Sequence, residues 1–152
     1  MNKLLILLLA LVMSCTNAVP NNSKDIKAQG EIIASESQGG GDQPGFKIIK
    51  DQAELKNSIT ENFSKSGREP VMDIPVFQNN KKVVLYNLGT FNSGDHKVTE
   101  IKSISVKNNV LYVEIPQYQS GGMEIQVMSS PWFIFSVPSN YQFTSVELKY
   151  SK

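Results

Sequence analysis

Of the stretches in this chain that could build a core, one is patterned for a helix and the others only for strands. Asp51-Gln52-Ala53-Glu54 carries the capping-box signature, an N-cap carboxylate with a glutamate three positions on. Leu55, Ile59 and Phe63 recur at spacings of four and share one face, with Lys56, Asn57, Thr60 and Glu61 opposite. The spacing predicts a helix from about Gln52 to Ser64, ended by Gly67. Its acidic first turn and Lys65 near its last turn both suit the helix dipole. A helix with a single apolar face must pack on something, and the rest of the chain offers strands.

Phe46 to Ile49 is a short strand candidate, and Val71 to Phe77 is an edge strand or an irregular approach because Pro75 interrupts it. Lys82 to Gly89 is the clearest buried strand. Ile101 to Val106 and Val110 to Ile115 flank Lys107-Asn108-Asn109 as an antiparallel hairpin. Met123 to Met128 alternates, Trp132 to Pro138 is a continuous apolar run, and Thr144 to Tyr150 alternates again. The expected fold is β-rich α+β: a compact antiparallel sheet domain of six to seven strands with one helix packed on it, over residues 46–152. That size sustains a core without metals or disulfides.

Before Phe46 the chain reads differently. Met1-Asn2-Lys3 is a weakly positive head and Leu4 to Val12 is nine consecutive apolar residues, too few for a span that needs roughly 20. Cys15, the single cysteine, follows Val12-Met13-Ser14 and can form no internal disulfide. Val12-Met13-Ser14-Cys15 resembles the lipobox of bacterial lipoproteins. The resemblance implies a signal peptide over residues 1–14, cleavage before Cys15, a diacylglycerol thioether on its sulfur and usually a third acyl chain (a palmitate-type modification) on its amino group. Two or three chains give stable attachment where one is marginal. The alternative is an ordinary secretory signal cut near Ala18. From Thr16 to about Pro44, Asn, Ser, Gln, Gly and single charges dominate, so residues 15–45 read as a lipid-anchored flexible tether. Gly39-Gly40-Gly41 has no following Lys-Ser or Lys-Thr pair and no preceding apolar strand, so linker is preferred to a phosphate-binding turn.

Charge and catalytic inventory exclude several classes. With 15 basic and 14 acidic residues the net charge is +1, and loss of Lys3 with a leader balances it. That argues against nucleic acid and against a polybasic membrane surface. A single histidine, His96, rules out two-histidine zinc chemistry, and no Gly-x-Ser-x-Gly stretch supports a Ser–His–acid arrangement. His96 is expected in an exposed polar turn. Asp73, Asp95, Glu100, Glu114 and Glu124 could supply paired carboxylates, but scattered acids read as solvated surface. The sequon Asn62-Phe63-Ser64 falls inside the expected helix and carries no functional weight. No catalytic residue, metal site or cofactor is expected. Trp132, Phe133 and Phe135 read as core, with an exposed anchor among them as the other possibility. Recognition is assigned instead to two glycine-containing loops. One is Asn92, Ser93, Gly94, Asp95 and His96, and the other, Gln117 to Met123, contains Gly121 and Gly122.

The sequence from about Phe46 also resembles the PrcB C-terminal-domain-like family, found in the lipoprotein subunit of a bacterial protease complex. The resemblance lies in Ile49-Lys50-Asp51-Gln52-Ala53-Glu54-Leu55 and in the strand and small loop from Val83 to Gly94. It continues through the hairpin Ile101 to Pro116 and the closing segment Ser129 to Pro138. Where that family usually reads Ser-Gly-Gly-Tyr, this chain has Ser93-Gly94-Asp95-His96. The resemblance implies a non-enzymatic module supporting the assembly or stability of a protease or another envelope protein. Taken together, the sequence points to a lipid-anchored module of a bacterial outer membrane that binds a protein partner, a protease among the candidates. The alternatives are a protease inhibitor, a carbohydrate- or small-ligand-binding lipoprotein, and a hydrolase built on carboxylates.

Overall fold

A computed structural model of the chain describes residues 30–119 and 127–152. Cys15, Gly121, Gly122, Glu124 and most of the strand expected at Met123 to Met128 lie outside the described residues. Among those described, seven strands and one helix run in the order β1 (Glu31–Glu36), β2 (Gly45–Ile49), α1 (Gln52–Lys65), β3 (Lys81–Asn87), β4 (Ser103–Lys107), β5 (Val110–Pro116), β6 (Trp132–Pro138) and β7 (Ser145–Ser151). The β-rich α+β expectation holds, with its strands divided between two sheets. One sheet has the order β1-β6-β3-β2 and is antiparallel throughout. The other has the order β4-β5-β7, in which β4 and β5 are antiparallel and β5 and β7 parallel. The chain leaves β5, builds β6 in the first sheet and returns for β7, and this crossover allows the parallel pair.

Helix α1 starts and stops where the residues dictate. Asp51 accepts from the Glu54 backbone N–H at 2.8 Å, and Glu54 reaches back to the Lys50 N–H at 2.8 Å. At the other end the Arg68 N–H bonds the Phe63 carbonyl and the Gly67 N–H bonds that of Ser64, with Gly67 at φ +71°. That is a Schellman ending, and it needs a left-handed residue at Gly67. Leu55, Ile59 and Phe63 are buried as their spacing requires, and Ser58 and Asn62 are buried beside them. Asn62 is 5% exposed, so the sequon's asparagine is part of the packing.

The helix, the four-stranded sheet and the three-stranded sheet form three layers with the four-stranded sheet in the middle. β6 is therefore buried on both faces. Trp132 and Ile134 join Leu55, Ile59, Phe63, Val83 and Leu85 on the helix side. Phe133, Phe135 and Val137 join Val84, Ile104, Leu111, Val113 and Val146 between the sheets. A strand covered twice has no polar face, which is why the Trp-Phe-Ile-Phe run does not alternate. The hairpin between β4 and β5 turns on Asn108 and Asn109 at φ 53° and 62°, the left-handed pair a two-residue type I′ turn demands. Residues 71–78 form no strand, and Met72, Ile74 and Phe77 pack irregularly against the helix-side core.

One expectation is corrected. The folded part does not begin near Phe46, because residues 30–44, read as tether, include β1 and its connection to β2. β1 pairs with β6 from Glu31↔Ser136 to Glu36↔Trp132, with a bulge that leaves Ile33 without a partner. The bulge turns Ile33 and Ala34 both toward the helix side while Ile32 faces the other sheet. An alternating strand pattern is thereby broken. The glycine-rich connection then crosses the ends of β6 and β3. The Gly40 N–H bonds the Ser130 carbonyl at 2.8 Å, the Gly41 N–H bonds Asn87 Oδ1 at 3.0 Å, and Trp132 Nε1 donates to the Gln38 carbonyl at 2.9 Å. A buried indole needs a partner for its N–H, and here the polar connection supplies it.

Candidate functional site

The loop after β3 and the segment after β5 meet. Phe91 is anchored by a two-way backbone bridge to Ser129, at 2.8 and 2.9 Å. From there the chain turns through Asn92, Ser93, Gly94 and Asp95 and brings the His96 ring back onto Phe91, with centroids 3.8 Å apart and planes at 17°. Tyr118 covers the other side of the imidazole at 4.3 Å. His96 Nε2 lies 3.0 Å from the Ser93 carbonyl oxygen. A carbonyl only accepts, so in this arrangement the proton sits on Nε2. Gly94, at φ +86°, lies flat against the same tyrosine, and a Cβ there would stand 2.7 Å from the Tyr118 hydroxyl oxygen. The residue at position 94 therefore has two reasons to be glycine.

This corrects the reading of His96 as an exposed loop residue. It is half-buried between two aromatic rings. Asn92 and Asp95 stay exposed, and Asp95 folds back to accept from the Lys97 N–H at 3.1 Å.

Beside the stack lies a cleft of about 460 Å³. Leu88, Val98 and Ile115 line it with aliphatic surface, Phe91, His96, Tyr118 and Tyr150 with rings, and Lys97, Thr99 and Gln117 with polar groups. That size lies within the range of ordinary ligand pockets, about 300–1,000 Å³. Among the described lining residues Lys97 carries the one full charge, and its ammonium is held by Glu36 at 3.2 Å. Among the described residues no carboxylate lines the cleft. Glu100 is engaged by Lys102 and Glu114 by the Ser103 hydroxyl, both at 2.5 Å. No cluster of three or more metal-ligating side chains occurs among the described residues. Trp132, Phe133, Ile134 and Phe135 are all fully buried, so none of that run can stack on a sugar. The arrangement suits an apolar group held among rings, with Gln117, Thr99 and the tyrosine hydroxyls available to fix its orientation.

The sequence had marked Asn92 to His96 and the loop after Pro116 separately, and the structure brings the first together with the start of the second. The participation of Phe91, Leu88, Ile115 and Tyr150 was not anticipated. The available signal was an aromatic residue beside each glycine-containing loop, Phe91 before one and Tyr118 within the other. No family model, no curated protein and no solved structure matches this chain.

Proposed function

We propose that this chain is a lipid-anchored envelope module that binds a protein partner at the cleft between the 92–99 loop and the start of the segment after β5. The observation that carries the reading is the Phe91–His96–Tyr118 stack, which knits two loops into one preformed, largely apolar recess. A preformed recess loses little conformational freedom on binding, which favours recognition. The lipobox resemblance supplies the anchor at Cys15, and confinement to a membrane raises the effective concentration of a partner in the same envelope. The resemblance to the PrcB-like family suggests a protease complex as the place to look. An inhibitor's protruding loop is disfavoured because Asn92 to His96 is folded back onto Phe91. Binding of a small apolar ligand is the second reading, favoured by the cleft's volume alone.

The test is capture of the anchored protein from its envelope, wild type against Tyr118→Ala and His96→Ala. One protein recovered reproducibly with wild type and reduced at least tenfold with both variants is the expected result. Equal recovery with all three chains would remove the cleft from partner binding. Absence of any reproducible protein would leave the small-ligand reading.

A further inference from the structure

Among the described residues the two sheets differ by one strand, and the difference lies on one side. At the β1 side the packing is closed: a Cβ at Gly30 would stand 2.2 Å from the Ile104 side chain, so the chain at the head of β1 is pressed onto β4. At the other side the four-stranded sheet ends in β2 and the three-stranded sheet ends in β7. Phe46 and Ile48 of β2 pair with Tyr86 and Val84 of β3, and Val84 is buried between the sheets. Phe46 and Ile48 therefore face the same way, yet Phe46 is only half-buried and Ile48 is 38% exposed. On β7, Val146 is buried, Leu148 is half-buried and Tyr150 is 54% exposed, all on the inner face. Burial pushes the Tyr86 phenol above its ordinary value of 10.0, and Tyr150 and Glu147 push it further. Phe46, Tyr86 and Leu148 pack against the same core between the sheets, and this apolar shelf continues into the cleft that Tyr150 lines.

The backbone of β7 specifies what fits this shelf. The Ser145 N–H bonds Asn109 and the Ser151 carbonyl accepts from Gln117, so the odd-numbered residues turn their backbone groups to β5. In a parallel ladder the alternate residues Val146, Leu148 and Tyr150 then direct theirs outward. Among the described residues no strand pairs with that edge.

We propose that β7 accepts an added β-strand from the protein partner, whose inward side chains cover the shelf of Phe46, Ile48, Tyr86 and Tyr150 and place one large apolar residue in the cleft. Main-chain hydrogen bonds supply affinity and the recess selects the side chain, the usual division in strand addition. The partner segment is extended, with apolar residues at alternate positions, and the addition makes the two sheets equal in number. This rests on the partner-binding reading and adds its geometry.

The experiment uses the full chain in lipid nanodiscs and two synthetic peptides, Lys-Val-Thr-Phe-Thr-Val-Lys and Lys-Val-Pro-Phe-Thr-Pro-Lys, whose prolines fall on opposite sides of the strand so that one replaces a donor facing β7 in either strand direction. The first is expected to bind, to slow hydrogen exchange in residues 145–151, and to bind at least tenfold more tightly than the proline peptide, which lacks two amide donors. Tyr150→Pro removes one outward N–H at an edge position where proline is tolerated, whereas Tyr150→Ala keeps it. The proline variant is expected to bind roughly fivefold more weakly than the alanine one, with the emission of the buried Trp132 reporting an intact fold. Equal affinity of the two peptides, or no binding of either up to about 1 mM, would overturn strand addition. Protection confined to residues 92–99 would also overturn it while leaving partner binding at the cleft in place.

Discussion

The two sides of the sandwich are built from similar residues and finished differently. At the β1 side, Ile32 lies beside Phe135 in one sheet and the chain at Gly30 lies against Ile104 of the other, so the two sheets close on each other. At the β2 side, Phe46, Tyr86 and Tyr150 occupy the corresponding inner face and remain partly open. The difference teaches that the surfaces closing this fold and the apolar surfaces it leaves open are separated in space. The closed side carries fully buried aromatic residues, while the open side keeps apolar surface accessible, a feature that an isolated fold would cover.

The largest effect should come from removing what closes the closed side. A chain that starts at Gly45 loses β1 and the crossing connection, leaving β6 as an unprotected edge and Trp132 Nε1 without its Gln38 acceptor. We expect no cooperative thermal transition and a red-shifted emission from the single tryptophan. A sharp transition near that of the full chain would mean that β1 is dispensable and that the closed side is not what holds the fold. Next in size is a matched pair of phenylalanines. Phe135→Ala, at a fully buried site, should cost about 3–5 kcal/mol. Phe46→Ala, at a half-buried one, should cost roughly 1–1.5 kcal/mol. Equal losses by denaturant titration would erase the distinction between the two sides.

The smallest effect concerns how β2 is held. Glu54 on α1 ion-pairs with Lys47 of β2 at 2.6 Å and accepts the Lys50 N–H. The Lys47 ammonium, then the Lys50 N–H, hold its carboxyl below the ordinary value of 4.5. A group whose pKa is lower folded than unfolded stabilises the fold above the unfolded value and stops doing so as pH falls through the folded one. The melting temperature should therefore decline slightly below about pH 4.5, and Glu54→Gln should flatten that part of the profile. An unchanged slope in the variant would show that Lys47 and Glu54 do not tie β2 to the helix.

Much of the fold was legible because local rules agreed with it. The capping box at Asp51 and Glu54, the four-residue spacing of Leu55, Ile59 and Phe63, and the Asn108-Asn109 turn each specify a conformation through neighbours in sequence. The seven residues from Trp132 to Pro138 declared a strand covered on both faces. β1 was not legible, because its bulge at Ile33 breaks the alternation and its neighbours Gly39, Gly40 and Gly41 have the composition of a linker. Their order comes from contacts with Ser130, Asn87 and Trp132, about 50 to 90 residues away in sequence. The site was half legible. Asn92 to His96 was marked by turn chemistry, but an imidazole between two rings depends on where β3 and β5 end, and that is a property of the packed sheets.

By itself, the sequence determined the class of fold, the helix with both its ends, the central buried strand, and an N-terminal signature whose meaning rests on Cys15. Those features follow from backbone preferences and from side-chain periodicity within one segment. Only the tertiary structure decided that the domain begins at or before Gly30, that the described strands divide four against three, and that His96 belongs to an aromatic stack. Each of these depends on residues far apart in the chain, and contact between distant segments is settled by which surfaces bury one another, which no single stretch of sequence encodes.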